Sequence, residues 1–322
     1  MIKLDLLDKK ILYELDTNAR IPLTQLAKKT RSSVSVVEYR MKKMEKEGLI
    51  KNYLTFLDAG KLGLMIWNVY LELQNTTEQK EEEILNYLSN VRETWWIATC
   101  SGKWDLIFSI GVHDVKEFYE VVTNFHNKFG EYVLNQSIEA HADIEIISRG
   151  YFLEKPGKNS GWYKEISKPK LDLTDKKILK IMSKNARLGA VEIASKTNLT
   201  ARVVSYRIKE LMKKGIINRF RLDLDISKIG KNFYKTIIKT KNFTQEKKEQ
   251  LKKYCINEGN IIHFEEKIGP WLLELEFDSD SYSEADKQMK KIKETFQDFV
   301  QSYEILLIRE EIKSDFDLTK TI

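Results

Sequence analysis

Sixty residues near the start of the chain are restated 167 positions later without a gap. Leu4-Asp5-Leu6, Asp8-Lys9-Lys10-Ile11-Leu12 and Asn18-Ala19-Arg20 return as Leu171-Asp172-Leu173, Asp175-Lys176-Lys177-Ile178-Leu179 and Asn185-Ala186-Arg187. Positions 4–63 and 171–230 agree at 26 of 60 places. The same offset carries Gly102 onto Gly269, Trp104 onto Trp271, Phe129 onto Phe296 and Val133 onto Val300, so the duplication spans the 322-residue chain. A repeat of this length fixes the architecture as two copies of one plan, each large enough for more than one core.

Each copy is itself composite, because charge changes sign along it. Residues 4–63 hold 12 Lys+Arg against 8 Asp+Glu and residues 171–230 hold 14 against 6, whereas residues 64–150 hold 6 against 14. The overall charge of +6 conceals this alternation. A basic module suited to a polyanion is joined to an acidic one that keeps away from it; the plain alternative is that the Lys-rich helices are solvated. Cys100 and Cys255 do not correspond under the offset and have no cysteine nearby, so a disulfide framework or a zinc knuckle is not expected. With no apolar run of about 18 residues and no signal-peptide pattern, the reading is a cytoplasmic protein without a membrane partner. No metal and no cofactor is called for.

The basic module reads as three short helices. Asp5 and Asp8 suit a helix start, where carboxylates accept orphan amide bonds and meet the positive end of the dipole. Leu7, Ile11 and Leu15 form the inner stripe, and the helix should end near Asn18-Ala19-Arg20. A second helix runs through Leu23, Leu26 and Ala27, with Pro22 at its first turn. Ser33 caps a third, whose inner stripe is Val37, Met41 and Met44, matched by Val204, Ile208 and Leu211, and which stops at Gly48 or Gly215. Followed by the extended Leu49–Leu57, this is the plan of a winged helix-turn-helix, with the third helix in the major groove. Its outward residues are Ser35, Glu38, Tyr39, Arg40 and Lys43 in the first copy, and Arg202, Ser205, Tyr206, Arg207 and Glu210 in the second. Arg and Tyr there can touch phosphates or base edges. An equally good reading makes Tyr39 with Arg40, and Arg207, a packing and capping pair.

The acidic module alternates two kinds of pattern. Ile66–Gln74 is a half-buried strand, and Thr76 to Val91 a helix with Thr76 and Gln79 spaced as a capping box. Trp95–Ser101 and Asp105–Val112 are strands joined through Gly102-Lys103-Trp104; Val115 to Phe129 is a helix and Gln136–Ile147 the last strand. The order βαββαβ is the ferredoxin-like arrangement, whose open sheet face needs a cover. The class is α+β, with units at 1–63, 64–150, 171–230 and 231–322. The Pro-, Gly- and Lys-containing 151–170 reads as a linker of up to roughly 65–70 Å.

These residues resemble the Lrp/AsnC, or feast-or-famine, transcriptional regulators of bacteria and archaea. The likeness rests on L-D-x-x-D-x-x-I-L, on Asn-Ala-Arg after the first helix, and on the run from Val37 through Arg40 to Gly48-Leu49-Ile50. It implies a winged helix-turn-helix plus a sensing domain of the RAM type, pairing through its sheets, double-stranded DNA as partner, and an amino-acid effector beside a Gly-x-x-Asp loop. That loop stands here as Gly102-Lys103-Trp104-Asp105, where the glycine admits backbone amides to a carboxylate and the aspartate holds an amine; Gln136 and Ser137 extend the pocket. In the second copy Gly269-Pro270-Trp271 is followed by Leu272, so the amine partner is missing.

Two copies in one chain imply a pseudo-dimer with unlike hands, since the outward positions differ at Ser35/Arg202, Glu38/Ser205 and Lys43/Glu210. The operator should be an imperfect palindrome, with Arg219 and Arg221 near the second wing supplying phosphate affinity. Whether whole chains associate further stays open. No triad, phosphate loop or carboxylate pair supports catalysis, and the reading is a regulator, not an enzyme. Two alternatives are a siroheme decarboxylase-like enzyme, which shares both modules, and an interaction scaffold without DNA. His113, His126, His141 and His263 show no ligand spacing in the sequence.

Overall fold

The computed structural model describes residues 1–163, 166–167, 171–314 and 318–321. The first copy folds as α1 (Leu6–Thr17), α2 (Leu23–Thr30), α3 (Val34–Lys46), β1 (Ile50–Leu57), β2 (Met65–Leu73), α4 (Glu78–Asn90), β3 (Thr94–Ser101), β4 (Leu106–Val112), α5 (Val115–Phe129) and β5 (Val133–Ile147). After β6 (Asn159–Tyr163) the plan repeats as α6 (Leu173–Lys184), α7 (Ala190–Thr197), α8 (Ala201–Lys213), β7 (Ile217–Leu224), β8 (Asn232–Thr240), α9 (Gln245–Glu258), β9 (Ile261–Ile268), β10 (Leu273–Ser279), α10 (Tyr282–Thr295) and β11 (Val300–Ser314).

Local chemistry sets the helix ends. The Asp5 carboxylate accepts from the Asp8 amide and Asp8 returns the bond to the Asp5 amide, a reciprocal cap. Ser33 caps α3, and Gly48 follows it with φ of +76°, a left-handed conformation costly for other residues. One expected cap shifts by a residue: Thr77, not Thr76, accepts from the Lys80 amide at the start of α4, while the Thr76 hydroxyl donates to Glu81. Among the described residues no helix is long and apolar enough to cross a membrane.

The ferredoxin-like halves do more than face each other. The fifteen-residue strand β5 pairs with β2 of its own half at Val133–Ala140 and with β9 of the other half at Ala140–Ile146. β11 does the same, pairing with β8 and then with β3. The order β2-β4-β3-β11-β8-β10-β9-β5, with β5 returning to β2, closes an eight-stranded antiparallel ring that has no free edge. Strand alternation sends Val69, Leu71, Phe108 and Ile110 outward against α4 and α5, and Leu273, Leu275 and Phe277 outward against α9 and α10. The inward set includes Tyr70, Trp96, Trp104, Trp271, Ile107, Ile237 and Leu306.

The helix-turn-helix units pair by the same pseudo-twofold. Arg20 donates to the carbonyls of Ala186 and Leu188, and Arg187 donates to those of Ala19 and Ile21. Arg20 lies over Phe220 and Arg187 over Tyr53, residues that correspond under the offset. The amides of Ala19 and Ala186 donate to Phe220 and Tyr53, at 3.0 and 2.7 Å. Thus the repeated Asn-Ala-Arg is an interface motif, and β1 pairs antiparallel with β7 between the units. The connecting segment is folded as far as it is described: β6 extends the sheet beside β5, and Trp162 packs between Phe56 and Trp95. Pro169, part of the expected linker, lies outside the described residues.

Where the helix-turn-helix pair meets the ring, Asp16 of α1 is fully buried. Its carboxylate accepts from the Arg149 amide at 2.7 Å and pairs with Arg149 and Arg221, each at 3.0 Å; Arg149 also reaches Asp278 at 2.7 Å. Burial alone would raise the Asp16 carboxyl, but Arg221 and Arg149 outweigh it and hold it down to about 2. A depressed acid stabilises the fold above its unfolded value and loses that contribution as pH falls through the folded one. Urea unfolding of the wild type should therefore lose on the order of 2 kcal/mol between pH 5 and pH 2 through this group, and Asp16→Asn should flatten that slope while lowering stability at pH 7. An unchanged slope would remove the assignment.

Candidate nucleic-acid interface and sensing cavity

The pairing leaves both third helices on the surface. Tyr39 and Tyr206 are 65% and 61% exposed, and Ser35, Lys43, Arg202 and Ser205 are exposed beside them. Two arginines expected on this face are committed elsewhere. Arg40 pairs with Asp5 at 2.8 Å and Asp8 at 3.1 Å, and Arg207 with Asp172 at 2.7 Å and Asp175 at 3.3 Å. Each ties the third helix to the capping carboxylates at the start of the first, as the capping reading has it. Lys43 lies 3.8 Å from Glu47.

Arg219 and Arg221 are not on a wing. β7 is covered by β1 on one side and on the other by the connecting segment, a strap that carries β6, so both side chains point inward. Arg219 donates to the Ile146 carbonyl at 3.1 Å and the Ser160 hydroxyl at 3.3 Å; burial, with Arg221 alongside, lowers its pKa to about 10. Arg221, 3% exposed, holds Asp16 and donates to the Ile147 carbonyl. Both guanidiniums are thus committed to groups of the protein itself, and Arg221 is buried away from any phosphate. The extended segment after the third helix resembled a wing in sequence, but pairing between the units buries it.

In the first ferredoxin-like half the expected pocket residues part company. Asp105 lines a cavity of about 160 Å³ with Leu73, Glu81, Ile84, Leu85, Thr99, Leu106 and Arg309. One carboxylate oxygen accepts from the Leu73 amide at 2.8 Å. Trp104 lies inside the ring against Tyr70. Gly102 stands outside the cavity: a Cβ there would come 2.7 Å from Leu306, so its lack of side chain admits β11. Gln136 faces outward to His126, and Ser137 points into the ring and bonds Glu139. Arg309, from the other copy's last strand, had no signal in the repeat, which places Ala142 opposite it.

The largest surprise is inside the ring. Lys235, 1% exposed, reaches Glu274 at 2.8 Å, Glu276 at 2.7 Å and Glu265 at 3.2 Å; Lys267 reaches Glu265 at 2.8 Å and Glu274 at 3.1 Å. Tyr70 and Trp271 both donate to Glu274 at 2.6 Å. Burial would push Lys235 down, but the three carboxylates hold it well above its ordinary value and fully charged. Burial and the facing Glu274 raise Glu139, whereas burial, with Lys267, lowers His141 to about 3 and keeps it neutral, an acceptor for Lys267 at 2.8 Å. His141 and His263, far apart in sequence, thus converge on Glu265. His263, Glu265 and Glu276 have ligand atoms within 4.8 Å of one another, a spacing a metal ion can use. Lys235 already balances both carboxylates and Arg221 lies 3.2 Å from His263, so the donor set fits an ion-pair network better than a metal. Beside it lies a cavity of about 70 Å³ lined by Trp95, Trp96, Trp162, Phe233, His141 and His263 among others.

Residues 4–51 and 171–218 each match the model of winged helix-turn-helix DNA-binding domains. The proline dehydrogenase transcriptional activator of Rhodobacter capsulatus is 37% identical over 123 residues, covering 37% of this chain and 78% of that protein. The regulatory protein AsnC of Haemophilus influenzae is 25% identical over 122 residues, 38% of this chain and 81% of that one. Among solved structures, the siroheme decarboxylase NirDL in complex with an iron-uroporphyrin III analogue superposes with a TM-score of 0.64, covering 98% of this chain and 96% of that one at 14% identity. A likeness at that identity is one of fold.

The buried pairing of Arg221 gives a direct prediction. Arg221→Ala strands Asp16 with Arg149 alone and should cost about 3 kcal/mol in urea unfolding. The salt dependence of any DNA binding should be the same as in the wild type, because no phosphate contact is lost. A shallower salt slope with unchanged stability would return the residue to a DNA-facing role.

Proposed function

Because the chain belongs to the Lrp/AsnC family of transcriptional regulators and carries the family's unit twice in tandem, we propose that it is a single-chain DNA-binding regulator whose two unlike recognition helices read one operator. The observation that carries this reading is the reciprocal Arg20/Arg187 pairing, which fixes two helix-turn-helix units against each other within one chain and leaves α3 and α8 exposed. Two such helices mounted on a pseudo-twofold suit adjacent major-groove half-sites. Selection of bound fragments from a random DNA pool by the full chain should enrich an imperfect palindrome; a pool without enrichment would remove the reading.

The effector belongs to the first sensing half. The Asp105 cavity combines an acid that can take an ammonium group with Arg309, which can take a carboxylate, and at about 160 Å³ it suits a solute of amino-acid size rather than a larger ligand. The matching place in the second half is filled by the chain itself. Lys248, 5% exposed, stands where the first half has Glu81, and its ammonium reaches Glu266, the counterpart of Thr99, at 2.6 Å; Leu272 replaces Asp105. The chain therefore takes one effector, and binding biases the spacing of the helix-turn-helix pair by a coupling of about 1–3 kcal/mol.

A decarboxylase reading has one observation in its favour, the full-length likeness of fold to a siroheme decarboxylase. Against it, the cavity beside the buried ion pairs is about 70 Å³, with three tryptophans in its wall, too small at that place for a tetrapyrrole when clefts for ligands of even drug size run to about 300–1,000 Å³. Titration with siroheme should leave its visible spectrum unchanged; a shift at one equivalent would favour the enzyme. Calorimetric titration with individual amino acids should find one site per chain, lost in Asp105→Asn, with thermal stability and effector-free DNA affinity retained. Two sites per chain, or a variant that responds normally, would overturn the effector assignment.

A further inference from the structure

The faces of α3 and α8 that point away from the core are stripes at positions i, i+3, i+4 and i+7. In α8 the stripe is Arg202, Ser205, Tyr206 and Lys209; in α3 it is Ser35, Glu38, Tyr39 and Lys42. Tyrosine is common to both, as is the partly exposed Val36/Val203 on the neighbouring row. Lysine also recurs, as Lys42 and Lys209, whereas the remaining two positions differ in kind, Ser35/Arg202 and Glu38/Ser205. In α3 the Ser35 hydroxyl is bonded to that of Ser33 at 3.1 Å, and Glu38 neutralises Lys42 at 2.7 Å. In α8 no carboxylate lies in the stripe.

Four of the five arginines that sequence places near DNA are used within the protein: Arg40 and Arg207 by the capping carboxylates, Arg219 and Arg221 by the junction beneath the ring. Arg202 remains. It is exposed in the first turn of α8, behind the Thr200 cap, and makes no hydrogen bond or ion pair among the described residues. The N-terminal residues of a recognition helix are those that meet base edges. A guanidinium fork there matches the O6 and N7 acceptors of guanine, an arrangement that a lysine ammonium makes less well.

Resting on the DNA-binding reading above, we infer that Arg202 is the specificity-determining residue of the second unit and reads a guanine in one half-site. The first unit, with Ser35 at that position and a neutralised Glu38–Lys42 pair, contributes no such preference. The operator is then two half-sites that share the contacts of the common tyrosine and valine and differ at one G·C pair.

The test uses the full chain and the fragment enriched from the random pool. Replacing the guanine in one half-site only should weaken wild-type binding roughly 5- to 150-fold, the range of one bidentate arginine–guanine pair. Arg202→Ala should bind both versions equally, and Arg202→Lys should keep the salt slope while losing most of the discrimination. Ser35→Arg should gain a guanine preference in the other half-site. If Arg202→Ala instead weakens every sequence alike and lowers the salt slope by about one, the residue is a phosphate contact and the inference fails. Equal preference in both half-sites of the wild type would overturn it as well. A pool that yields no enriched fragment fails the DNA-binding reading itself, a result distinct from either.

Discussion

The exchange of the two long last strands is the constraint on which everything else depends. Each spends its first half closing its own sheet and its second half joining the other copy's, through β5 on β9 and β11 on β3. With both exchanges made, each of the eight ring strands is paired on both sides, and the inner face of each sheet becomes the lid of the other. The paired helix-turn-helix units then sit on a single body through Asp16, Arg149 and Arg221. The core beneath them is shared between the copies, running from Leu12 and Met41 to Ile178 and Leu211.

Closure also explains the ionic interior. A Lys–Glu network with almost no exposure adds little stability of its own, since desolvation consumes most of the attraction. It specifies geometry: Lys235 and Lys267 between them satisfy three carboxylates on β9 and β10, and Glu274 takes bonds from β2 and from the loop carrying Trp271. The first copy has Asn68, Ala98, Cys100, Ile107 and Ser109 at the corresponding places. One sheet brings most of the charges, and the other, apart from Glu139 and His141, brings uncharged residues, among them the hydrogen-bonded pair Asn68 and Ser109.

Local signals in the sequence were legible wherever local chemistry decides. The Asp5–Asp8 cap, the Ser33 cap, the stop at Gly48 and the helix Val115–Phe129 are set by neighbours within a few residues, and periodicity found them. Membership of the Lrp/AsnC family was legible in the repeated motifs themselves. What depends on contacts between the copies was not. Arg219 and Arg221 read as surface cations because nothing in their own stretch says that β1 and a strap will cover them. The charges of β8, β9 and β10 alternate as an ordinary polar face does, and only ring closure turns that face inward. At the candidate site Asp105 was legible through its motif, but Arg309 arrives from a strand more than two hundred residues away. Gly102, Trp104, Gln136 and Ser137 neighbour Asp105 in the loop or across the sheet while pointing to other places.

Carrying both halves in one covalent chain has a kinetic and evolutionary consequence. A regulator assembled from separate identical subunits falls apart on dilution, and its active form grows with the square of concentration; a tethered pair keeps its partner at an effective concentration in the millimolar range however few copies a cell holds. Nor can its halves be traded with those of related regulators, so no mixed pairs arise. A substitution in either half is also made once rather than twice. Lys235 needs no tolerance for a second Lys235 across a symmetry axis, and a buried charge set that true twofold symmetry would double into repulsion is thereby open to the duplicated chain.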